Sequence, residues 1–260
     1  MHAAEREELI LKLLAPRGFL SFRELERTID ASPATLRRDL ERLDGQGLVA
    51  RVHGGVKLVE AAPPPNGSSL SGVPFHENIA RHRAEKEAIG RAAAALCVEG
   101  EAVMIDGGST TLQMCPHLAG KNLQILTNSL HIVSALLGQP GTRITVPGGA
   151  VFPEQNIILS AFGEDLMPRF HAPKLFMGAA AVGPQGVMQA DPILVAAERR
   201  LIERADKVIL LVDSSKFATQ SGQVICGFDK IDMVISDAGL SASDKRMLEE
   251  HDVEALCAVD

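Results

Sequence analysis

The sequence predicts an α+β protein of two folded parts: an N-terminal winged helix-turn-helix and a C-terminal α/β, Rossmann-like domain. Three observations carry this. Short helical patterns crowd the first 45 residues and run into two apolar stretches separated by a tight turn. A Pro-, Gly- and Ser-rich stretch occupies residues 60–74. From residue 100 onward, short apolar runs alternate with helical patterns, as in a largely parallel sheet.

In the first part, Glu5–Leu14 has helical spacing through Leu9, Ile10, Leu13 and Leu14, closed by Ala15-Pro16-Arg17-Gly18. Ser21 is placed to cap a second short helix carrying Phe22, Leu25 and Ile29, and Asp30-Ala31 turns the chain into a third. That third helix, Ser32–Leu43, has Ser32 as N-cap and Pro33 at the first helical position. Leu36, Leu40 and Leu43 line one face, leaving Thr35, Arg37, Arg38 and Arg42 on the flanks and back. A face of arginines is commonly just solvated, with Arg38 or Arg42 paired locally to Glu41 or Asp39. The context favours DNA instead: helix, helix, short turn, helix is the helix-turn-helix order. Leu48–Val52 and Gly55–Val59 then form a hairpin wing around His53-Gly54-Gly55, placing Arg51, His53 and Lys57 near phosphates.

This run, Ser-Pro-Ala-Thr-Leu-Arg-Arg-Asp-Leu followed by Leu-Asp-x-x-Gly and Val-His-Gly-Gly-Val, resembles the winged helix of the DeoR family of bacterial sugar-metabolism repressors over roughly Glu5–Val59. The resemblance implies that Thr35, Arg37 and Arg38 contact the operator. The expected DNA-binding set is completed by Ser32, Arg42, Arg51, His53 and Lys57.

The net charge of −7 needs dividing. Residues 1–60 hold ten lysines and arginines against ten acidic residues, so the rest of the chain carries the whole excess. Within 33–57, five cations face three anions. Phosphate contact drives affinity for DNA, so a face this weakly basic calls for two or more heads, hence a homodimer or homotetramer. The acidic remainder disfavours general nucleic-acid binding. The absence of Trp and Tyr argues against a base-stacking single-strand binder. No run reaches the ~18 apolar residues of a membrane helix, and Met1–Glu5 shows no secretory pattern, so a bacterial cytoplasm is expected. Cys97, Cys115, Cys226 and Cys257 form no C-x-x-C pair and read as buried thiols, with no metal site and no cofactor.

Residues 1–59 are thus expected to form the DNA-binding domain, 60–74 a linker and 75–260 the α/β domain. A long helix is expected over His76–Leu96. Strands are expected at Ala102–Ile105, Leu123–Leu126, Arg143–Val146, Lys174–Met177, Val208–Val212, Met233–Ile235 and Glu254–Ala258, with helices at 109–119, 129–137, 195–205 and 241–250. Ligands of such sheets bind at the carboxyl ends of the strands. There the sequence places four polar turns: Asp106-Gly107-Gly108-Ser109-Thr110-Thr111, Thr127-Asn128-Ser129, Pro147-Gly148-Gly149 and Asp213-Ser214-Ser215-Lys216. Glycines allow close approach, hydroxyls and free N–H groups suit an anion, Lys216 suits a phosphate and Asp213 a sugar hydroxyl. The first turn is neither a Walker loop nor G-x-G-x-x-G.

The array D-G-G-S-T-T, T-N, G-G and D-S-S-K, in this order and spacing over Phe75–Asp237, resembles the DeoR-family effector domain. That implies a fold like ribose-5-phosphate isomerase and the sensing of a phosphorylated sugar or sugar acid. The residues implied are Asp106, Gly107, Gly108, Ser109, Thr110, Thr111, Thr127, Asn128, Gly148, Gly149, Glu198 and Lys216. The rival expectation is an active sugar-phosphate isomerase. Its aspartate-rich turn is here Gly178-Ala179-Ala180-Ala181-Val182-Gly183, without an ionisable group, whereas Glu198 matches an isomerase glutamate. Glu198 reads equally as a surface residue paired with Arg199 or Arg200. Glutamate at this place, Ser-Pro-Ala-Thr in the head and Lys230-Ile231-Asp232-Met233 most resemble the L-ascorbate-utilisation branch of the family.

Overall fold

The computed structural model describes residues 3–14, 19–29, 31–45, 49–52, 55–58, 70, 72–160 and 168–259. They divide into two units, Met1–Gly67 and Ser68–Asp260.

In the first unit, α1 (Ala3–Leu14) leads to strand β1 (Phe19–Ser21), α2 (Phe22–Thr28), α3 (Pro33–Gly45), β2 (Val49–Val52) and β3 (Gly55–Leu58). Each start signal in the sequence has a physical counterpart. Ser21 and Glu24 form a reciprocal capping box on α2. The Ser32 hydroxyl accepts from the Thr35 N–H at 3.2 Å. Leu36, Leu40 and Leu43 are buried, and pack with Ile10, Leu14, Leu25 and Ile29. β2 and β3 pair antiparallel as the expected wing. Strand β1 was not anticipated; it adds to the other edge of β3, with Leu20 opposite Val56. His53 and the expected linker positions 60–69 and 71 lie outside the described residues.

The second unit begins with α4 (Phe75–Asn78) and α5 (Arg83–Ala95). The single helix expected over 76–96 is therefore broken: His82 sits in the left-handed region at φ 49° and ψ 47°, which no helix can pass through. There follow β4 (Ala102–Ile105), a 3₁₀-helix at Thr111–His117, β5 (Gln124–Leu126), α6 (Leu130–Leu136), β6 (Arg143–Thr145), β7 (Ala150–Phe152) and β8 (Ile157–Leu159). The chain continues through β9 (Ala172–Met177), β10 (Ala181–Gly183), β11 (Gly186–Gln189), α7 (Pro192–Ile202), β12 (Ala205–Leu211), β13 (Gln223–Cys226), β14 (Met233–Ser236), α8 (Ala242–Glu249) and β15 (Glu254–Cys257).

All seven expected strands meet in one parallel sheet of the described residues, in the order β15-β14-β12-β9-β4-β5-β6. Both of its faces are covered. Val103 and Ile105 point into a core with Ile89 and Ala93 of α5. Met104 points to the opposite core, shared with Val195 and Leu201 of α7 and Leu248 of α8. This alternation along a uniformly apolar strand is what a doubly covered parallel sheet demands.

Three elements depart from expectation. The stretch expected as a helix at 109–119 is a 3₁₀-helix over Thr111–His117, with Pro116 inside it. Helix α7 starts three residues early, where Asp191 caps it by accepting from the Ile193 N–H at 2.7 Å and Pro192 opens it. Short antiparallel pairs, β7 with β8 and β11 with β10 and β13, flank the main sheet. Cys97 and Cys115 are buried as expected, whereas Cys226 and Cys257 are only half-buried.

Candidate functional site

The strand order reverses at β4, with β5 and β6 on one side and β9, β12, β14 and β15 on the other. Open α/β sheets hold ligands outside the carboxyl ends of the strands at such a switch point. A cavity of about 360 Å³ lies there, walled by the turns after β4, β9 and β12. Eight of the expected effector residues line it: Asp106, Gly107, Gly108, Ser109, Thr110, Asn128, Glu198 and Lys216.

The turn after β4 is held from several sides. The Gly107 N–H donates to Asn128 Oδ1 at 2.8 Å, and Asn128 Nδ2 donates to Asp106 Oδ1 at 3.0 Å. A Cβ at Gly107 would lie 2.7 Å from the Ile157 side chain, so only glycine fits. Thr111 does not line the cavity; its hydroxyl donates to the Asp106 and Gly108 carbonyls at 2.7 and 3.0 Å and holds the turn closed. Thr127 likewise stands behind the wall, its hydroxyl accepting from the Ser129 N–H at 3.2 Å. Gly149 has φ +148° and a Cβ there would collide with the Leu159 carbonyl, so it serves the approach of β7 to β8. Gly148 beside it does not line the cavity either.

Sequence reasoning missed several lining groups. The helix break at His82 places Asn78, Arg81 and His82 in the wall, and no glycine or proline signals that break. Gln189 enters from β11, a strand too short to be read. Gly72 and Val73, inside the expected linker, also line the cavity, and Leu70 packs on Phe152 and Ile157.

The charges fall into two groups. Lys86 is fully buried, its Nζ donating to the Asn78 carbonyl at 2.6 Å. Burial pushes its ammonium down to about 8, countered by Asp213 and reinforced by Lys216 and Arg81. Asp213 caps the 3₁₀-turn 214–218 by accepting from the Ser215 N–H and hydroxyl. Asp237 braces the same turn by accepting from the Ser214 and Gly239 N–H groups at 2.6 and 2.7 Å. Burial raises the Asp237 carboxyl, but these donors outweigh it and hold the group below its ordinary value.

Asp106 and Glu198 form the other group. Glu198 is 3% exposed, so it is not a surface partner of Arg199 or Arg200. Arg199 instead donates to the Ile225 and Val224 carbonyls at 2.7 and 2.8 Å. Glu198 Oε1 accepts from Gln189 Nε2 at 2.7 Å, while its Oε2 is buried without a partner among the described residues, as is Asp213 Oδ2. Burial first, and the neighbouring Asp106 second, push the Glu198 carboxyl well above its ordinary 4.5. Burial likewise pushes Asp106 up to about 6 against the pull of Asn128 and Gly107.

A proton is therefore bound by Glu198 more readily in the folded than in the unfolded chain. Its carboxyl destabilises the fold increasingly as pH rises above 4.5 toward the raised folded value. Glu198→Gln is expected to raise the thermal midpoint of this domain, with a gain that widens from acid to neutral pH in scanning calorimetry. A midpoint unchanged across that range would contradict the burial argument.

In the first unit, the outward face of α3 is not uniform. Asp39 is buried and paired with Arg6 of α1, Nε to Oδ2 at 2.7 Å, a long-range partner that helix spacing does not reveal. Arg42 is drawn back to Glu7 of α1 at 2.7 Å, with Asp39 3.8 Å away. The Arg37 guanidinium lies over the Phe22 ring, 5.4 Å from its centroid. Arg38 is exposed and has no ion-pair partner among the described residues. Thr35 is half-buried, its hydroxyl 2.8 Å from that of Ser32. Lys57 is exposed on β3; Arg51 lies on β2 opposite Val56.

Residues 81–238, more than half of the chain, match the family model of the DeoR C terminal sensor domain. The chain belongs to the DeoR family. Residues 6–62 match the DeoR-like helix-turn-helix domain, so α2 and α3 are the helix-turn-helix of a DeoR-family transcriptional regulator and the cavity lies in its sensor domain. An HTH-type transcriptional regulator UlaR from Shigella dysenteriae serotype 1 (strain Sd197) is 29% identical over 256 residues, covering 98% of this chain and 99% of its own. UlaR of Escherichia coli (strain K12 / DH10B) is similar to the same extent. Among solved structures, a probable sor operon regulator from Shigella flexneri is similar with a TM-score of 0.44 and 10% identity, over 69% of this chain and 92% of that one. A D-ribose-5-phosphate isomerase in complex with phospho-erythronic acid is similar with a TM-score of 0.38 and 16% identity, over 52% of this chain. The match spans about half, 54%, of the isomerase chain. No described helix of this DeoR-family chain is long and apolar enough to cross a membrane.

Proposed function

We propose that this DeoR-family regulator represses a carbohydrate-use operon and that its sensor cavity binds a phosphorylated sugar or sugar acid, whose binding changes the grip of the helix-turn-helix on operator DNA. The observation that carries the reading is the cavity itself. It joins a glycine turn with the hydroxyls of Ser109 and Thr110, the cations Arg81 and Lys216, and buried carboxyl oxygens of Glu198 and Asp213 that have no partner among the described residues. Cations and hydroxyls suit a phosphate; unpartnered buried carboxyl oxygens call for hydroxyl donors. The reading requires an effector and no cofactor, works in the cytoplasm, and needs a homodimer or homotetramer to present two weakly basic heads. Resemblance to the L-ascorbate-utilisation branch supports a sugar or sugar-acid effector. Release of repression by the effector follows if the ligand favours the state that does not bind DNA.

A gel shift of the full chain on its gene's own upstream region, with and without a panel of sugar phosphates, tests this. Retarded DNA released by one phosphorylated compound is expected. Failure to bind that DNA, or indifference to every phosphorylated compound, would contradict it.

Glu198, buried with a raised pKa, is the one observation that favours the isomerase reading, since a carboxyl so placed suits a general base. Against it, the turn after β9, Gly178-Ala179-Ala180, lines the cavity without any ionisable side chain. No turnover of pentose or hexose phosphates is expected in a coupled assay. Turnover that Glu198→Gln abolishes would establish the enzyme instead.

A further inference from the structure

The charges lining the cavity fall into two chemically different groups. Arg81 and Lys216, with Lys86 buried behind them, supply the cations. Glu198 and Asp106 face the same cavity, and their interactions are with each other, with Gln189, and with Asn128 and Gly107. No cation among the described residues pairs with either carboxyl; the adjacent Arg199 is turned to backbone carbonyls. Glu198 lines the cavity, and its Oε2 is buried with no hydrogen-bond partner among the described residues.

We propose that this pocket selects phosphorylated sugars or polyols that present a hydroxyl to Glu198, and discriminates against those that present a carboxylate there. The inference rests on the sugar-phosphate reading and narrows it.

The chemistry is asymmetric. A hydroxyl is both donor and acceptor, so it bonds Glu198 Oε2 whether that carboxyl is ionised or protonated. A carboxylate only accepts. It accepts from Glu198 only if that carboxyl holds a proton, and it adds a negative charge beside Glu198 and Asp106, neither of which has a cationic partner among the described residues. The glycine and alanines after β9 offer it no cationic side chain. Discrimination of this kind acts through an unpaired or repelled polar group and not through the size of the pocket.

Calorimetric titration of the full chain at neutral pH decides the matter, using matched aldose, alditol and aldonate phosphates of four to six carbons, with inorganic phosphate as reference. An alditol or aldose phosphate is expected to bind, and the aldonate phosphate of equal length to bind at least tenfold more weakly. Glu198→Gln, which replaces an acceptor by an amide able to donate, is expected to shrink that ratio below threefold; its thermal unfolding verifies that it folds. An aldonate phosphate that matches or exceeds its alditol counterpart on the unaltered chain overturns the proposal without needing any variant. A ratio that survives in a folded Glu198→Gln chain removes Glu198 as its source and also overturns it. If no phosphorylated compound of any series binds, the sugar-phosphate reading fails, and this inference with it.

Discussion

Replacing Arg38 by alanine is expected to weaken operator binding about 5- to 150-fold, the equivalent of about 1–3 kcal/mol for one lost arginine contact to a base or phosphate. The effect should be larger than for its neighbours. Arg42 is partly engaged by Glu7 and Asp39, and Arg37 is stacked on Phe22, whereas Arg38 is exposed and has no ion-pair partner among the described residues. The substitution touches no core group, because the buried face of α3 is Leu36, Leu40 and Leu43. Fluorescence anisotropy with labelled operator measures it, and a parallel titration with effector should show an unaltered ligand affinity. If Arg38→Ala binds operator normally while Arg42→Ala does not, the reading face of α3 is rotated from the one described.

Replacing Lys216 by alanine is expected to leave operator binding intact and to raise the effector concentration needed for release about 10- to 150-fold. That is the range of one charge-assisted hydrogen bond, about 1.5–3 kcal/mol. Lys216 is half-buried on a turn that Asp213 and Asp237 hold from both sides. The turn therefore keeps its shape when the side chain is shortened, and loss of response is not loss of fold. A normal dose-response curve for Lys216→Ala would remove the lysine from the phosphate contact.

The parts of this molecule that were legible in its sequence share a physical cause. The inner strands of the parallel sheet are covered on both faces, so Ala102–Ile105 or Val208–Leu211 are continuous apolar runs that stand out from their surroundings. Polar, glycine-bearing turns directly after such runs mark the carboxyl ends, which is why Asp106–Thr110 and Lys216 are legible as cavity residues from the sequence. Strands β7, β10 and β13 lie outside the parallel sheet in short antiparallel pairs, and their residues Ala-Val-Phe, Ala-Val-Gly and Gln-Val-Ile-Cys form no continuous apolar run bounded by polar turns. The break at His82 lies within Arg81-His82-Arg83-Ala84-Glu85-Lys86, whose residues all suit a helix, so nothing in the local sequence marks it. Glu198 is the sharpest case. Set in Ala-Ala-Glu-Arg-Arg it reads as solvent-facing, yet its partner Gln189 arrives from a strand that the pattern conceals, and the arginine beside it spends its donors on β13.

Glu198 Oε2 and Asp213 Oδ2 have a consequence for the life of the protein in a cell. A ligand that satisfies both binds only the folded chain and so depletes the opened forms on which proteases act, by mass action. Under the proposed function, abundance would then follow effector supply: cells lacking the effector would degrade the regulator faster, and cells supplied with it would accumulate copies already occupied.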